Sequence, residues 1–234
     1  MAAVVRDGLV DPAAVAASVA AVTARISELS WGRDVHLIAV TKGFGADAIE
    51  AAVGAGCTMI GENYAQELQH KMAALGADVA KPEVHFIGQL QTNKVRLVAS
   101  LVDVWQTVDR PSVVAEITRR APGATVFVQV NTTAETSKGG CSPDDTEALV
   151  ERARTAGLVV SGLMTVGPTS GDQQQTADAF GELRALADRL GLDGCSMGMS
   201  GDYETAILHG ATHVRIGSAL FGARPTTARS DRIA

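Results

Sequence analysis

The chain has 234 residues, 46% of them hydrophobic, 20% charged and 4% aromatic, with a formal net charge of −6. That length suits one large domain or two small ones, with room for a substantial core. The acidic balance argues against a nucleic acid held on a basic surface, and against an anionic membrane as partner.

The opening "MAAVVRDGLVDP" lacks the charged and apolar blocks of a signal peptide. The Ala/Val-rich segment behind it is too short and too periodic to read as a membrane span. Asp11 as N-cap, Pro12 at the first helical position, and Val15, Val19, Val22, Ile26 and Leu29 at three-to-four-residue spacing predict a helix over about 11–30. Trp31-Gly32 closes it.

From there short apolar, β-branched runs alternate with helical patterns. Strands are predicted at 35–41, 57–61, 84–88, 103–108, 125–130, 158–164, 194–198 and 213–217. Between them, "ADAIEAAVGAG" ends on a glycine, and "NYAQELQHKMAAL" puts Tyr64, Leu68 and Met72 on one face. "TNKVRLVASL" starts at a possible Thr92 cap, and "RPSVVAEITRR" ends on arginines that suit the helix dipole. "SPDDTEALVERARTAG" offers Ser142 as cap and Pro143 at the first position, and Phe180, Leu183, Leu186 and Leu190 align along "DQQQTADAFGELRALADRLG".

Eight strands, most followed by a helix, are what a (β/α)8 TIM barrel requires, and continuous apolar strands fit a parallel sheet covered by helices. A doubly wound open sheet shares the alternation and is the structural rival. The count and the length favour a single barrel domain over 1–234, with the barrel at about 35–223 behind an extra N-terminal helix. Cys57, Cys141 and Cys195 are far apart and form no C-x-x-C pair, so neither a disulfide framework nor a zinc site is expected, and a cytoplasmic location is. The five histidines form no metal-ligand spacing and read as structural.

In a barrel the carboxyl ends of the strands form the active face. Those ends carry Lys42, Glu62-Asn63, Gln89 to Lys94, Asn131 to Lys138, Met164 to Pro168, "GMSGD" and "RIGS". Lys42 emerges among apolar residues, where a desolvated amine becomes a nucleophile for a carbonyl group. Its bland reading is a lysine reaching out of the barrel mouth into water. The loops after the seventh and eighth strands, with Ser200, Gly217 and Ser218, suit a small phosphorylated ligand, and no nucleotide motif follows a strand. Arg215 shares a side of its strand with Gly217, available to an anion or ring unless an acid such as Glu62 pairs with it.

The motifs "AVTKGFG", "GENYAQE", "HFIGQLQTNK", "VNTTAETSKGG", "GLMTVGP" and "SMGMSGDYETAILHGATHVRIGSALFG" together resemble the pyridoxal-phosphate homeostasis proteins, from about residue 35 to residue 223. The resemblance implies an alanine racemase-like barrel holding pyridoxal 5′-phosphate (PLP). It implies Lys42 as the Schiff-base lysine, Asn63 beside the cofactor, Arg215 at the pyridine nitrogen, and Ser200, Gly217 and Ser218 around the phosphate. A cation at the ring nitrogen makes the ring a weak electron sink, which fits a carrier rather than a fast enzyme. The implied function is PLP buffering and delivery, with apo PLP-dependent enzymes as partners and the chain a monomer. A PLP-dependent racemase is the rival, and a cofactor-free lysine aldolase a third reading. Thr41 stands where the family commonly has serine, Gln89 departs after "HFIG", and the tail "ARPTTARSDRIA" lacks the usual aromatic.

Overall fold

A computed structural model of the chain describes residues 10–223. The first nine residues and the tail from 224 onward, with its missing aromatic, lie outside the described residues.

The strands are β1 (His36–Val40), β2 (Met59–Glu62), β3 (Glu83–Phe86), β4 (Val104–Val108), β5 (Thr125–Gln129), β6 (Val159–Met164), β7 (Gly194–Met199) and β8 (His213–Ile216). They pair in parallel in chain order, and β1 closes on β8 with His36 opposite His213 and Ile38 opposite Arg215. That closure settles the choice against an open sheet.

Helix α1 (Pro12–Ser30) precedes the barrel, and α2 (Ala46–Gly54), α3 (Ala65–Ala74), α4 (Thr92–Val98), α5 (Pro111–Arg120), α6 (Thr146–Thr155), α7 (Gln173–Arg189) and α8 (Tyr203–Leu208) cross between strands. A short α9 (Ser218–Phe221) follows β8.

The main core lies between sheet and helices, where Ile60, Val84, Val126, Leu163 and Val214 meet Leu68, Val95, Ile117 and Leu183. Burying each such side chain stabilises the fold by ~1.5–3 kcal/mol. Alternate strand residues point the other way, into the lumen. His85 of β3 and Phe127 of β5 lie within ring-contact distance of His213 on β8, a meeting across the barrel that only the lumen permits, and His36 on the neighbouring β1 joins them.

Helix α1 starts as its sequence predicts, with the Asp11 carboxylate accepting from the Ala13 N–H at 3.0 Å. It ends at Trp31, which takes the left-handed conformation at φ 48°. Among the described residues it is the one helix long and apolar enough to cross a membrane. Its Val15, Val19, Val22 and Ile26 are instead buried against the barrel, and it packs on α2, α8 and α9.

Three local expectations change. Helix α4 takes Thr92 as its first residue, with Gln91 and not Thr92 in the N-cap position. Residues 143–145 form a turn, and α6 begins at Thr146. Ser142 caps that turn, its hydroxyl oxygen accepting from the Asp145 N–H at 3.1 Å. On α3 the buried face is Ala65, Leu68 and Lys71, whereas Tyr64 precedes the helix and is 58% exposed. Lys71 turns inward because a buried carboxylate waits for it at the end of β2.

Candidate functional site

At the carboxyl ends of β1, β2, β6, β7 and β8 lies a cavity of about 490 Å³. Lys42, Asn63, Ser200, Arg215, Gly217 and Ser218, the six positions singled out from sequence, all line it. Phe44, Ile87, Met164 and Val166 give it apolar walls. The segment from Gln89 to Lys94 borders a neighbouring hollow with Tyr64, and Lys138 is turned to the Gly167 carbonyl at 2.5 Å.

At one end of the cavity Ser200 draws two backbone N–H groups together. The Ser200 hydroxyl oxygen accepts from the backbone N–H groups of Gly217 and Ala219, both at 3.2 Å. These three groups together make a small cradle for anionic oxygens. Gly198 brings Ser200 there: its φ is +90°, and a Cβ on it would lie 2.5 Å from the Ala206 side chain. The chain leaving β7 folds tightly back onto α8, and a larger residue would push the cradle open.

Arg215 forms the floor. Its side chain is 3% exposed, yet no carboxylate lies within ion-pair distance of it among the described residues. One terminal nitrogen donates to the Ser196 hydroxyl at 2.8 Å and the other to the Thr165 carbonyl at 2.7 Å. Burial pulls the guanidinium down to about 10, with Asp202 opposing, so it remains a cation near neutrality. The expected competitor Glu62 is engaged elsewhere. A buried cation paired only with neutral groups is costly unless a ligand completes its shell.

Lys42 stands just beyond β1, half-buried, in a loop held by charge. The Lys71 ammonium donates to Glu62 Oε1 at 2.6 Å and to the Thr41 carbonyl at 2.7 Å. Glu62 Oε1 also accepts from the Thr41 hydroxyl at 2.5 Å. Glu67 contacts Lys71 and accepts from the Gly43 N–H at 2.6 Å. Both neighbours of Lys42 are thus gripped by one ionic cluster. Burial pushes the Glu62 carboxyl above the ordinary range, and Lys71 pulls against it. Thr41, a departure from the commoner serine, keeps the hydroxyl this cluster uses.

Asn63 closes the side of the cavity. Its Oδ1 is buried without a protein partner, an acceptor left for a ligand. The end of β3 presses on its backbone, since a Cβ on Gly88 would lie 2.0 Å from the Asn63 carbonyl oxygen. The sequence reading missed the Lys71 clamp, because hydrophobic periodicity places a lysine outside by default.

Taken together, an amine, a buried guanidinium, an orphan amide oxygen and an N–H cradle with apolar walls suit a small, flat, phosphorylated carbonyl compound. That donor set is compatible with the cofactor the sequence resemblance implies.

Residues 10–225 match the family described as "Alanine racemase, N-terminal domain". The chain is 42% identical over 222 residues to the pyridoxal phosphate homeostasis protein of Pseudomonas aeruginosa, covering 90% of this chain and 96% of that one. It is 35% identical over 224 residues to the protein of the same name from Schizosaccharomyces pombe, covering 90% and 93%. Among solved structures, PipY of Synechococcus elongatus with PLP bound superposes with a TM-score of 0.79 at 29% identity, covering 89% of this chain and all of PipY, 100%. Sequence and fold agree, and the chain belongs to the pyridoxal phosphate homeostasis proteins, within the alanine racemase N-terminal domain family.

Proposed function

We propose that the chain binds PLP in the cavity between Lys42 and Arg215 and serves to buffer and deliver it in the cytoplasm. The observation that carries this reading is the convergence of Lys42, Arg215 and the Ser200 cradle on one cavity. The P. aeruginosa and S. pombe proteins are named for pyridoxal phosphate homeostasis, and PipY has been solved with PLP bound.

When bound, PLP supplies an aldehyde for amines and an electron-withdrawing ring. The surrounding side chains set how that chemistry is used. Ser200, with the N–H groups of Gly217 and Ala219 that meet its hydroxyl, would hold the phosphate, with Ser218 at the rim. The Glu62–Lys71–Glu67 cluster fixes the loop from which Lys42 presents its amine. Asn63 supplies a fixed acceptor, and the apolar walls exclude water from one face. Arg215 would face the ring nitrogen, where its charge would disfavour a proton. That would weaken the ring as an electron sink and suit holding over turnover.

Racemisation needs proton-transfer groups on both faces of the ligand. Neither Tyr64 nor Tyr203 lines the cavity, which further supports a carrier. The recipients on this reading are apo PLP-dependent enzymes, and the carrier acts as a monomer.

The test is donor activity. Holo protein, freed of excess cofactor, is mixed with an apo PLP-dependent enzyme in the presence of a scavenger for free PLP. Recovery of the enzyme's activity supports delivery. No recovery, or rapid conversion of a single amino-acid enantiomer by the holo protein alone, overturns the carrier reading.

A further inference from the structure

The lumen beneath Arg215 is filled with polar side chains where TIM barrels usually stack branched apolar ones. Gln106 and Ser196 are fully buried, His85 is 1% exposed, and none of their polar atoms is left without a partner. They form one chain of hydrogen bonds from the cavity floor to the opposite mouth of the barrel.

Chemistry at the two ends sets the direction of every bond in it. Arg215 only donates, and it meets the Ser196 hydroxyl oxygen at 2.8 Å. Ser196 must therefore send its own proton onward, and Gln106 Oε1 receives it at 2.6 Å. That fixes the Gln106 amide with its nitrogen toward His85 Nδ1, at 2.8 Å. His85 then carries its proton on Nε2, and Glu83 Oε1 holds it at 2.6 Å. Glu83 only accepts when ionised, and its side chain is 43% exposed. Reversing any one link leaves two donors or two acceptors facing each other.

A fully satisfied polar chain of this kind holds its members in one arrangement. The carbonyl of Thr165 fixes one terminal nitrogen of Arg215, and the chain fixes the other. Two anchors on a planar guanidinium define the plane in which its remaining N–H groups point at the cavity. Without Gln106, the Ser196 proton loses its acceptor, and the hydroxyl that meets Arg215 is no longer held in one orientation.

We infer that Gln106 is a positioning residue for Arg215, acting through Ser196 to aim the guanidinium at the cofactor's ring nitrogen. The inference rests on the PLP reading above, and its test separates the two. The probes are PLP and its carbocyclic analogue, in which a C–H replaces the ring nitrogen. Each is titrated into cofactor-free protein, with absorbance and tryptophan fluorescence as readouts.

A hydrogen bond from a charged donor is worth ~1.5–3 kcal/mol, so the native protein is expected to prefer PLP over the analogue by roughly tenfold or more. Arg215→Leu should abolish that preference. Gln106→Leu, similar in volume, should reduce it to within about threefold, and the absorption band of bound PLP should shift with it. Ser196→Ala deletes one oxygen and should do the same, which keeps the test available if Gln106→Leu fails to fold. Ile117→Ala, a core change on α5 away from the chain, should lower thermal stability and leave the preference intact.

An unchanged preference in a folded Gln106→Leu or Ser196→Ala protein overturns the inference while leaving PLP binding in place. A loss of preference in Ile117→Ala also overturns it, because the effect would then track stability alone. If the native protein binds neither probe, the PLP reading itself fails.

Discussion

Lys71→Met is the most informative change outside the cavity. Lys71 is 4% exposed and Glu62 fully buried, with the ammonium 2.6 Å from Glu62 Oε1. Methionine keeps the length of the stem and removes the charge. Glu62 would then be a buried carboxylate with Oε2 already lacking a partner. Removing one member of such a pair costs ~3–5 kcal/mol. At ~2–4 °C per kcal/mol for a chain of this size, the melting temperature should fall by roughly 6–20 °C. Urea unfolding at several pH values is the assay.

The pH dependence has a definite sign. Burial raises the Glu62 carboxyl in the folded state, and losing Lys71 raises it further. The folded variant then binds a proton more readily than the unfolded chain, so its stability falls as pH rises through the folded value. The deficit should be smaller at pH 5 than at pH 8, and Glu62→Gln added to Lys71→Met should recover most of it. A Lys71→Met protein within ~1 kcal/mol of native at pH 8, with no pH trend, would refute the buried-clamp reasoning.

Three further outcomes are expected from the same geometry. Ser200→Ala removes the hydroxyl from the N–H cradle and should weaken PLP binding by about tenfold while changing the affinity for unphosphorylated pyridoxal little; equal losses for both would contradict the phosphate assignment. Burial, with His36 and His85 adding to it, holds the His213 imidazole at about 3 instead of 6.5. The unfolded chain takes that proton first, so stability is lost as pH falls from 6.5 toward 3, and His213→Phe should flatten this limb in acid unfolding curves. Gly198→Ala strains a φ of +90° and drives a Cβ into Ala206, so it should lower both stability and PLP affinity, measured by thermal melting and titration.

Much of the barrel was legible because parallel strands buried on both faces leave continuous apolar runs, and "LIAV" and "TVFVQV" could hardly be anything else. Asp11-Pro12 marked the first helix for an equally local reason. Five of the six cavity residues were legible because they sit just past strand ends, where polar residues and glycines break those runs, whereas Arg215 stands inside β8 and was marked by its spacing from Gly217. Lys71 was not, since its burial answers to Glu62, nine positions away in sequence and on another element. The lumenal chain was harder still: His85, Gln106, Ser196 and Arg215 meet only when the barrel closes. Its sequence trace is a polar residue inside each of "VHFI", "VWQTV", "GCSMG" and "HVRIG". Such residues, all pointing inward, have no reason to be there in an apolar lumen.

The central claim is that Lys42 anchors PLP covalently. Purified protein incubated with PLP, reduced with borohydride, digested and analysed by mass spectrometry reads this directly. The account predicts one pyridoxyl group on the peptide containing Lys42, a visible absorption band before reduction, and loss of both in Lys42→Ala. A label and band that survive Lys42→Ala unchanged, or a label on another lysine alone, would contradict it.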